Sequence, residues 1–240
     1  MNNKILTLPN SMLKPIQNRL LIPLFTLLLL LIAAFSTVII TLQQDKLNEF
    51  ATNVTQRASI DLSQLLDKQA KSLAAIQMVI FEDPDLRRAM KNLDRDHLLA
   101  TYKPLWNQLR DEHNITHFYF HGVDRVNLLR IHNPNKNGDL INRFTALEAE
   151  RTGKIAHGIE LGPLGTFTLR VVQPIFEGTT LTGYLELGKE IEDVLSDIHK
   201  RFGVELIVTI HKHDLVRDKW EAGMKMLNRE CNWGRFPEDV

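Results

Sequence analysis

One stretch limits the architecture of this chain more than any other. Leu20 to Leu42, LLIPLFTLLLLLIAAFSTVIITL, is 23 residues without a charge. About 20 apolar residues span a bilayer as a helix. Nine Leu, four Ile, two Phe and one Val lie in the run. At roughly −0.3 to −0.6 kcal/mol each they favour insertion by roughly 5–10 kcal/mol. A cleaved signal peptide has an apolar core of about 7–15 residues and then a small-x-small site. This run is longer, and the polar sequence after Leu42 offers no such site. The expectation is a retained transmembrane helix over residues 20–42. Lys4, Lys14 and Arg19 precede it and no acid does, which places residues 1–19 in the cytoplasm. Residues 43–240 then lie outside, in the periplasm of a Gram-negative cell, on a single-pass inner-membrane protein.

Glycine and proline are absent from Leu24 to Asp83, 60 residues. Apolar residues recur there at helical steps: Leu47, Phe50, Val54, Ala58, Leu62, Leu65, Leu66, Leu73, Ile76 and Ile80. This predicts one helix that leaves the membrane and runs on, about 90 Å long at 1.5 Å per residue. Asp61 and Gln69 interrupt the stripe, so packing on its own domain and a parallel dimer stalk both stay open. Asp83 is placed to cap a new helix and Pro84 to start it. Short helices follow over Asp85–Leu93 and Asp96–Glu112, the second with Pro104 inside it and a kink expected there.

The rest reads as short strands. Thr116 to Asn133 is a hairpin: Thr116–Phe120, a turn at Gly122 and Asp124, then Val126–His132. Strict alternation puts Val126, Leu128, Arg130 and His132 on one face and Asn127, Leu129 and Ile131 on the other. A loop at Asn133–Gly138 and a helix over Thr145–Arg151, closed by Gly153, come next. Strands are expected over Ile155–Leu161, Thr166–Ile175 and Leu181–Leu187, with GPLG at 162–165 as a turn. A helix over Glu190–Phe202 stops at Gly203, and Val204–His211 reads as a further strand. Helices first and clustered strands later indicate an α+β fold, with an antiparallel sheet packed on the long N-terminal helix.

Acidic and basic residues balance at 29 each, without the basic footprint of a nucleic-acid partner. A single cysteine, Cys231, excludes an intramolecular disulfide and a Cys-based zinc cluster. The sequence contains no GxSxG, GxxxxGK[ST], HExxH or CxxC, and paired carboxylates such as Glu148/Glu150 read as solvated helix faces. No catalytic residue, metal or cofactor is expected. His117, Tyr119 and His121 share one strand face, but two histidines fall short of a zinc set.

The residues that invite a chemical reading are arginines. Arg130 and Arg170 sit within predicted strands, and Arg125 and Arg143 lie nearby. A buried arginine is costly unless paired. Its partners could be internal, with Asp124, Asp139, Glu160 or Glu186 available. They could also be an anionic ligand held by the guanidinium fork. Phe118, Phe120, Phe167 and Tyr184 read as core aromatics in the same strands.

The blocks HFYFHGVDRVNLLRIHNP at 117–134, GDLINRFT at 138–145, GIELGPLGTFTLRVVQPIF at 158–176 and LTGYLELGKEIEDVL at 181–195 resemble the Cache family of extracytoplasmic sensors. These are PAS-like domains, and the wording is closest to the double-Cache type of sensor kinases, diguanylate cyclases and chemoreceptors. The resemblance spans about residues 48–221. It implies a sensor domain over 43–202 and, from residue 203, the start of a second module that 38 residues are too few to finish. It also implies signalling through a homodimer to a cytoplasmic effector or partner kinase that this chain does not encode.

The expected function is ligand sensing outside the membrane, with the signal passed along the long helix. The small molecule, an anion among the options, would sit between the sheet and the loop at 133–145. Arg130, Arg143 and Arg170 would fix its charge, Phe120, His132 and Phe167 its shape, with Asp124 and Arg125 beside them. A structural or dimerisation module without ligand, and a hydrolase of unfamiliar type, are the alternatives.

Overall fold

A computed structural model describes residues 13–162, 164–226 and 229–240. Lys4 of the orienting charges and Pro163 of the GPLG turn lie outside the described residues. One helix, α1, runs from Leu13 to Phe81. The chain divides into two units between Arg57 and Ala58. In the first, every side chain of Leu20–Leu42 is exposed, and the helix is long and apolar enough to cross a membrane. In the second, α1 continues and buries Ala58, Ala70, Leu73, Gln77 and Ile80. A polar residue therefore completes the buried stripe at the 3–4 spacing of a helix face.

Asp83 caps α2 (Pro84–Lys91), accepting from the Asp85 N–H, and Pro84 occupies the first turn. Asp94 caps α3 (Arg95–His113), which contains Pro104 and ends at Asn114 in the left-handed region. Five strands follow: β1 (Ile115–His121), β2 (Asn127–Arg130), β3 (Ala156–Leu161), β4 (Phe167–Glu177) and β5 (Thr180–Glu190). They form one antiparallel sheet in the order β2-β1-β5-β4-β3. Helix α4 (Phe144–Thr152) links β2 to β3, and α5 (Glu192–Phe202) follows β5. The expected α+β architecture is therefore observed.

The main core lies between the sheet and the helices α1 to α3. Phe118, Phe120, Leu129, Ile131, Leu185 and Leu187 pack there with Leu73, Ile80, Met90 and Leu98. Each such large apolar side chain, once removed from water, contributes about 1.5–3 kcal/mol. On the other face α4 covers a smaller patch of Ala149, Ala156, Val172 and Tyr184.

Two local readings need correction. Val204–His211 is not a strand: it makes a single bridge, His211 to Asp239, flanked by Ile210–Val240 backbone bonds. A strand needs a ladder, and among the described residues the backbone pairing of this segment reaches only residues 238–240; Ile207 stays 85% exposed. Helix α6 (Arg217–Met226) follows instead. The second correction concerns Asn127. A bulge between Phe120 and His121 shifts the register from Phe120 opposite Leu129 to His121 opposite Asn127. The extra residue is Leu128, and alternation breaks there. Asn127 and Arg130 consequently share a face.

Candidate functional site

The face of the sheet away from α1 to α3 carries a row of unlike residues. Tyr119 pairs with Arg130 on one side and Glu186 on the other, and Glu186 pairs with Val172. In the next row Gly188 stands between His117 and Arg170. A Cβ at Gly188 would lie 3.1 Å from both His117 Cβ and Thr168 Cγ2. Glycine thus lets the His117 and Thr168 side chains close over β5.

Glu186 is at the centre and fully buried. Arg170 Nη1 donates to its Oε1 at 2.5 Å, and Arg143 Nη2 donates to both oxygens at 2.8 Å. His121 Nε2 lies 2.9 Å from Oε2. Asn127 Nδ2 stands 3.3 Å from His121 Nδ1, so the amide donates there and Nε2–H donates to the carboxylate. Burial alone would favour the neutral acid. Arg170, Arg143 and the His121 hydrogen bond outweigh it and hold Glu186 well below the usual carboxylate range.

Glu160 forms the second acidic point. Its Oε1 accepts from the backbone N–H and the hydroxyl of Thr145, at 2.8 and 2.7 Å, in the first turn of α4. Its Oε2 lies 3.0 Å from Arg143 Nε and 3.3 Å from Arg170 Nε. These two are charge contacts, not aligned hydrogen bonds. The third acidic point is Asp139, which takes Arg130 bidentately at 2.6 and 2.7 Å. Arg130 also donates to Asn127 Oδ1 and to the Lys136 carbonyl, tying the loop at 133–139 to β2.

Three arginines therefore meet three carboxylates around one ring. The guanidinium carbons of Arg130, Arg143 and Arg170 lie 5.0, 5.9 and 5.9 Å from the Tyr119 centroid. His132 stacks on Tyr119 at 5.3 Å and meets His117 edge-on at 5.5 Å. Burial pushes both imidazoles down, His117 well below its ordinary value and His132 to about 4, with Arg170 adding to each effect. Both are neutral near pH 7. Burial also raises Glu190, which lies 3.9 Å from His117 Nδ1. Among the described residues, Arg143 Nη1 and Arg170 Nη2 make no hydrogen bond, and His132 Nδ1 is buried without a partner. The face can offer N–H donors and an imidazole acceptor beside an aromatic surface.

Of the residues expected at a site, Arg130, Arg143, Arg170 and His132 come together here. The arginines do have the internal partners Asp139, Glu160 and Glu186. Phe120 does not join them: with Tyr119 on this face, the two-residue period of β1 sends Phe118 and Phe120 to the helix side. Phe167 packs against the helix-side core as well. Asp124 shapes the hairpin turn, accepting from the Val126 N–H at 3.0 Å. Arg125, with φ 64°, pairs with Glu150 and donates to the Ile141 carbonyl. Neither belongs to the cluster. Tyr119 and Glu186, at the centre, were not among the expected ligand contacts, Glu186 being expected only as an internal partner for an arginine. A glutamate inside the apolar strand LTGYLEL was the available signal, since a buried acid demands partners.

Three comparisons with known proteins bear on this fold. The family described as the double sensory domain of two-component sensor kinases matches residues 51–229, more than half of the chain. No curated protein matches. Among solved structures, the E. coli DcuS sensor domain is similar at 18% identity, covering 56% of this chain and 97% of its own, with a TM-score of 0.47. The V. cholerae histidine kinase DctB sensor domain is 18% identical, covering 64% and 59%, with a TM-score of 0.48. The ligand-binding domain of a Campylobacter jejuni chemoreceptor, in complex with 4-methylisoleucine, is 15% identical over 58% and 62%, with a TM-score of 0.35. The chain thus spans less than two thirds of the latter two.

Proposed function

The chain belongs to the double Cache family, the double sensory domains of two-component sensor kinases, and from that premise we propose that its sheet face around Tyr119 senses a small molecule outside the membrane. In this reading residues 20–42 anchor the chain with residues 1–19 in the cytoplasm. Residues 43–202 form the sensor module and residues 203–240 open the second one. The ligand is a small organic anion. Arg143 and Arg170 direct their remaining N–H groups to it, and His117 and His132 bound it as neutral imidazoles. Binding biases the sheet against α1, and a homodimer passes the change to a cytoplasmic effector. No turnover is required.

The observation that carries this reading is the charge cluster itself. Burying Arg130, Arg170, Glu160 and Glu186 around a tyrosine, with Arg143 half-buried and Asp139 at the rim, costs more than an apolar face of the same size. Such an arrangement is expected where charge is used. The same cluster favours one rival: its charges balance internally, as they would in a structural module that binds nothing.

A thermal-shift screen of the full chain in nanodiscs against organic acids, amino acids and amines separates the two. A ligand at 100 times its dissociation constant stabilises by about 2.7 kcal/mol. An acid that shifts the wild type and not Arg143→Ala is the expected result. An acid whose shift survives Arg143→Ala and Arg170→Ala unchanged refutes the anion site. A screen with no response favours the structural module. A reporter enzyme active only outside the cytoplasm, joined after Val240, tests the topology and should be active.

A further inference from the structure

Gln77 is the polar member of the buried stripe of α1 and is itself fully buried. Its Nε2 donates to two backbone carbonyls in the sheet, Val171 on β4 at 2.9 Å and Leu185 on β5 at 3.0 Å. The register locates this contact. Val171 is opposite Leu187, Val172 opposite Glu186 and Gln173 opposite Leu185. The two carbonyls therefore bracket the Val172–Glu186 pair. Val171, Leu185 and Leu187 face the helices, while Val172 faces α4. The amide of Gln77 is thus seated on the backbone directly behind Glu186, whose side chain holds Arg143, Arg170 and His121 on the far face.

Local packing alone does not call for glutamine here. The residues around it on the helix side, Leu73, Ile80, Val171 and Leu185, are apolar, and its Oε1 is buried without a partner. An unpaired buried carbonyl is destabilising. The helix retains it together with a two-carbonyl contact that spans two neighbouring strands.

We propose that Gln77 is the positioning residue through which the charged face of the sheet acts on α1. It rests on the sensing function proposed above and names the contact that carries the signal. A shift of β5 relative to β4 at Glu186 changes the separation of the Val171 and Leu185 carbonyls. A single amide bonded to both cannot follow both strands without moving its helix. The apolar contacts of α1, being non-directional, can slide.

The test is a cycle that needs no ligand. Glu186→Gln alters the charged face and leaves its shape. Hydrogen exchange of amides in Leu73–Phe81 is followed in the full chain in nanodiscs, with Gln77 or with Gln77→Met. With Gln77 present, Glu186→Gln should change exchange there at least fivefold. In the Gln77→Met background the change should fall below twofold, while the β1 amides stay protected. An equal response in both backgrounds, or no response with Gln77 present, overturns the proposal. Arg143→Lys is the milder perturbation of the same carboxylate should Glu186→Gln not fold. Gln77→Asn, too short to bridge both carbonyls, should behave as Gln77→Met. Because no ligand enters the cycle, a failed ligand screen leaves its outcome readable.

Discussion

On the helix side of the sheet, Phe118, Phe120, Leu129, Leu185 and Leu187 bury carbon against carbon. On the α4 side, the same strands bury Tyr119, Arg130, Arg170 and Glu186. Both sets of side chains are buried, and neighbouring residues alternate between the two faces. The helix face gains from area, so its contributions are roughly interchangeable and independent of pH. The other face gains only while each charge keeps its partner. One face is suited to hold the domain together. The other has a low tolerance for a missing part, which suits a surface whose state is to be read.

The largest effect should come from breaking the charged face at its centre. Glu186→Ala leaves Arg170, only 2% exposed, and His121 without their acceptor. Removing one partner of a buried pair costs about 3–5 kcal/mol, readable by urea unfolding of the full chain in detergent. The pair Glu186→Leu with Arg170→Met should recover most of that loss, because no charge is stranded. A loss below about 1 kcal/mol for Glu186→Ala would mean that the cluster is not a unit.

The helix face should break by volume. Leu98 is fully buried among Met90, Tyr102 and the sheet side chains. Leu98→Ala should cost about 2–4 kcal/mol through transfer and cavity contributions. No titratable group is removed, so the loss should be the same at pH 5 and pH 8. A loss that varied with pH would show that the two faces are not energetically separate.

The two faces also differ in how far a sequence reveals them. Periodicity settles the helix face: the apolar stripe of α1, the alternation of β1 and the caps at Asp83 and Gly153 are local signals, and they predict elements that the structure contains. Arg130, Arg143 and Arg170 stand out in sequence because charge in an apolar run is conspicuous. Asp139, Glu160 and Glu186 are legible as available partners, but which arginine each one holds is not, since Glu186 is 43 residues from Arg143 and 16 from Arg170. Two failures have simple causes. A one-residue bulge moved Asn127 to the charged face, and bulges carry no periodic mark. Gln77 drew no notice among the apolar residues of the α1 stripe, because the strand carbonyls that satisfy it are 94 and 108 residues away.

The smallest expected effect per step is a pH slope, and between pH 7 and 5 it belongs to the charged face. His117 and His132 titrate in the fold below their ordinary value, pushed down by burial and then chiefly by Arg170 for the first and Arg130 for the second. The unfolded chain protonates them near pH 6.5. From there down to about 4, the folded-state value of His132, the unfolded state binds more protons, so stability must fall as pH falls. Each histidine contributes at most about 1.4 kcal/mol per pH unit. Below about pH 4.3, the unfolded carboxylate value, protonation of Glu186 adds a loss of the same sign. Glu190, raised by burial and Glu192, adds a change of opposite sign. Urea unfolding at pH 7, 6 and 5 should therefore show a decline that His117→Gln with His132→Gln flattens. Leu98→Ala should instead run parallel to the wild type. A wild-type curve that is flat between pH 7 and 5 would remove the imidazoles from the buried, neutral shelf over Tyr119 on which the proposed ligand site depends.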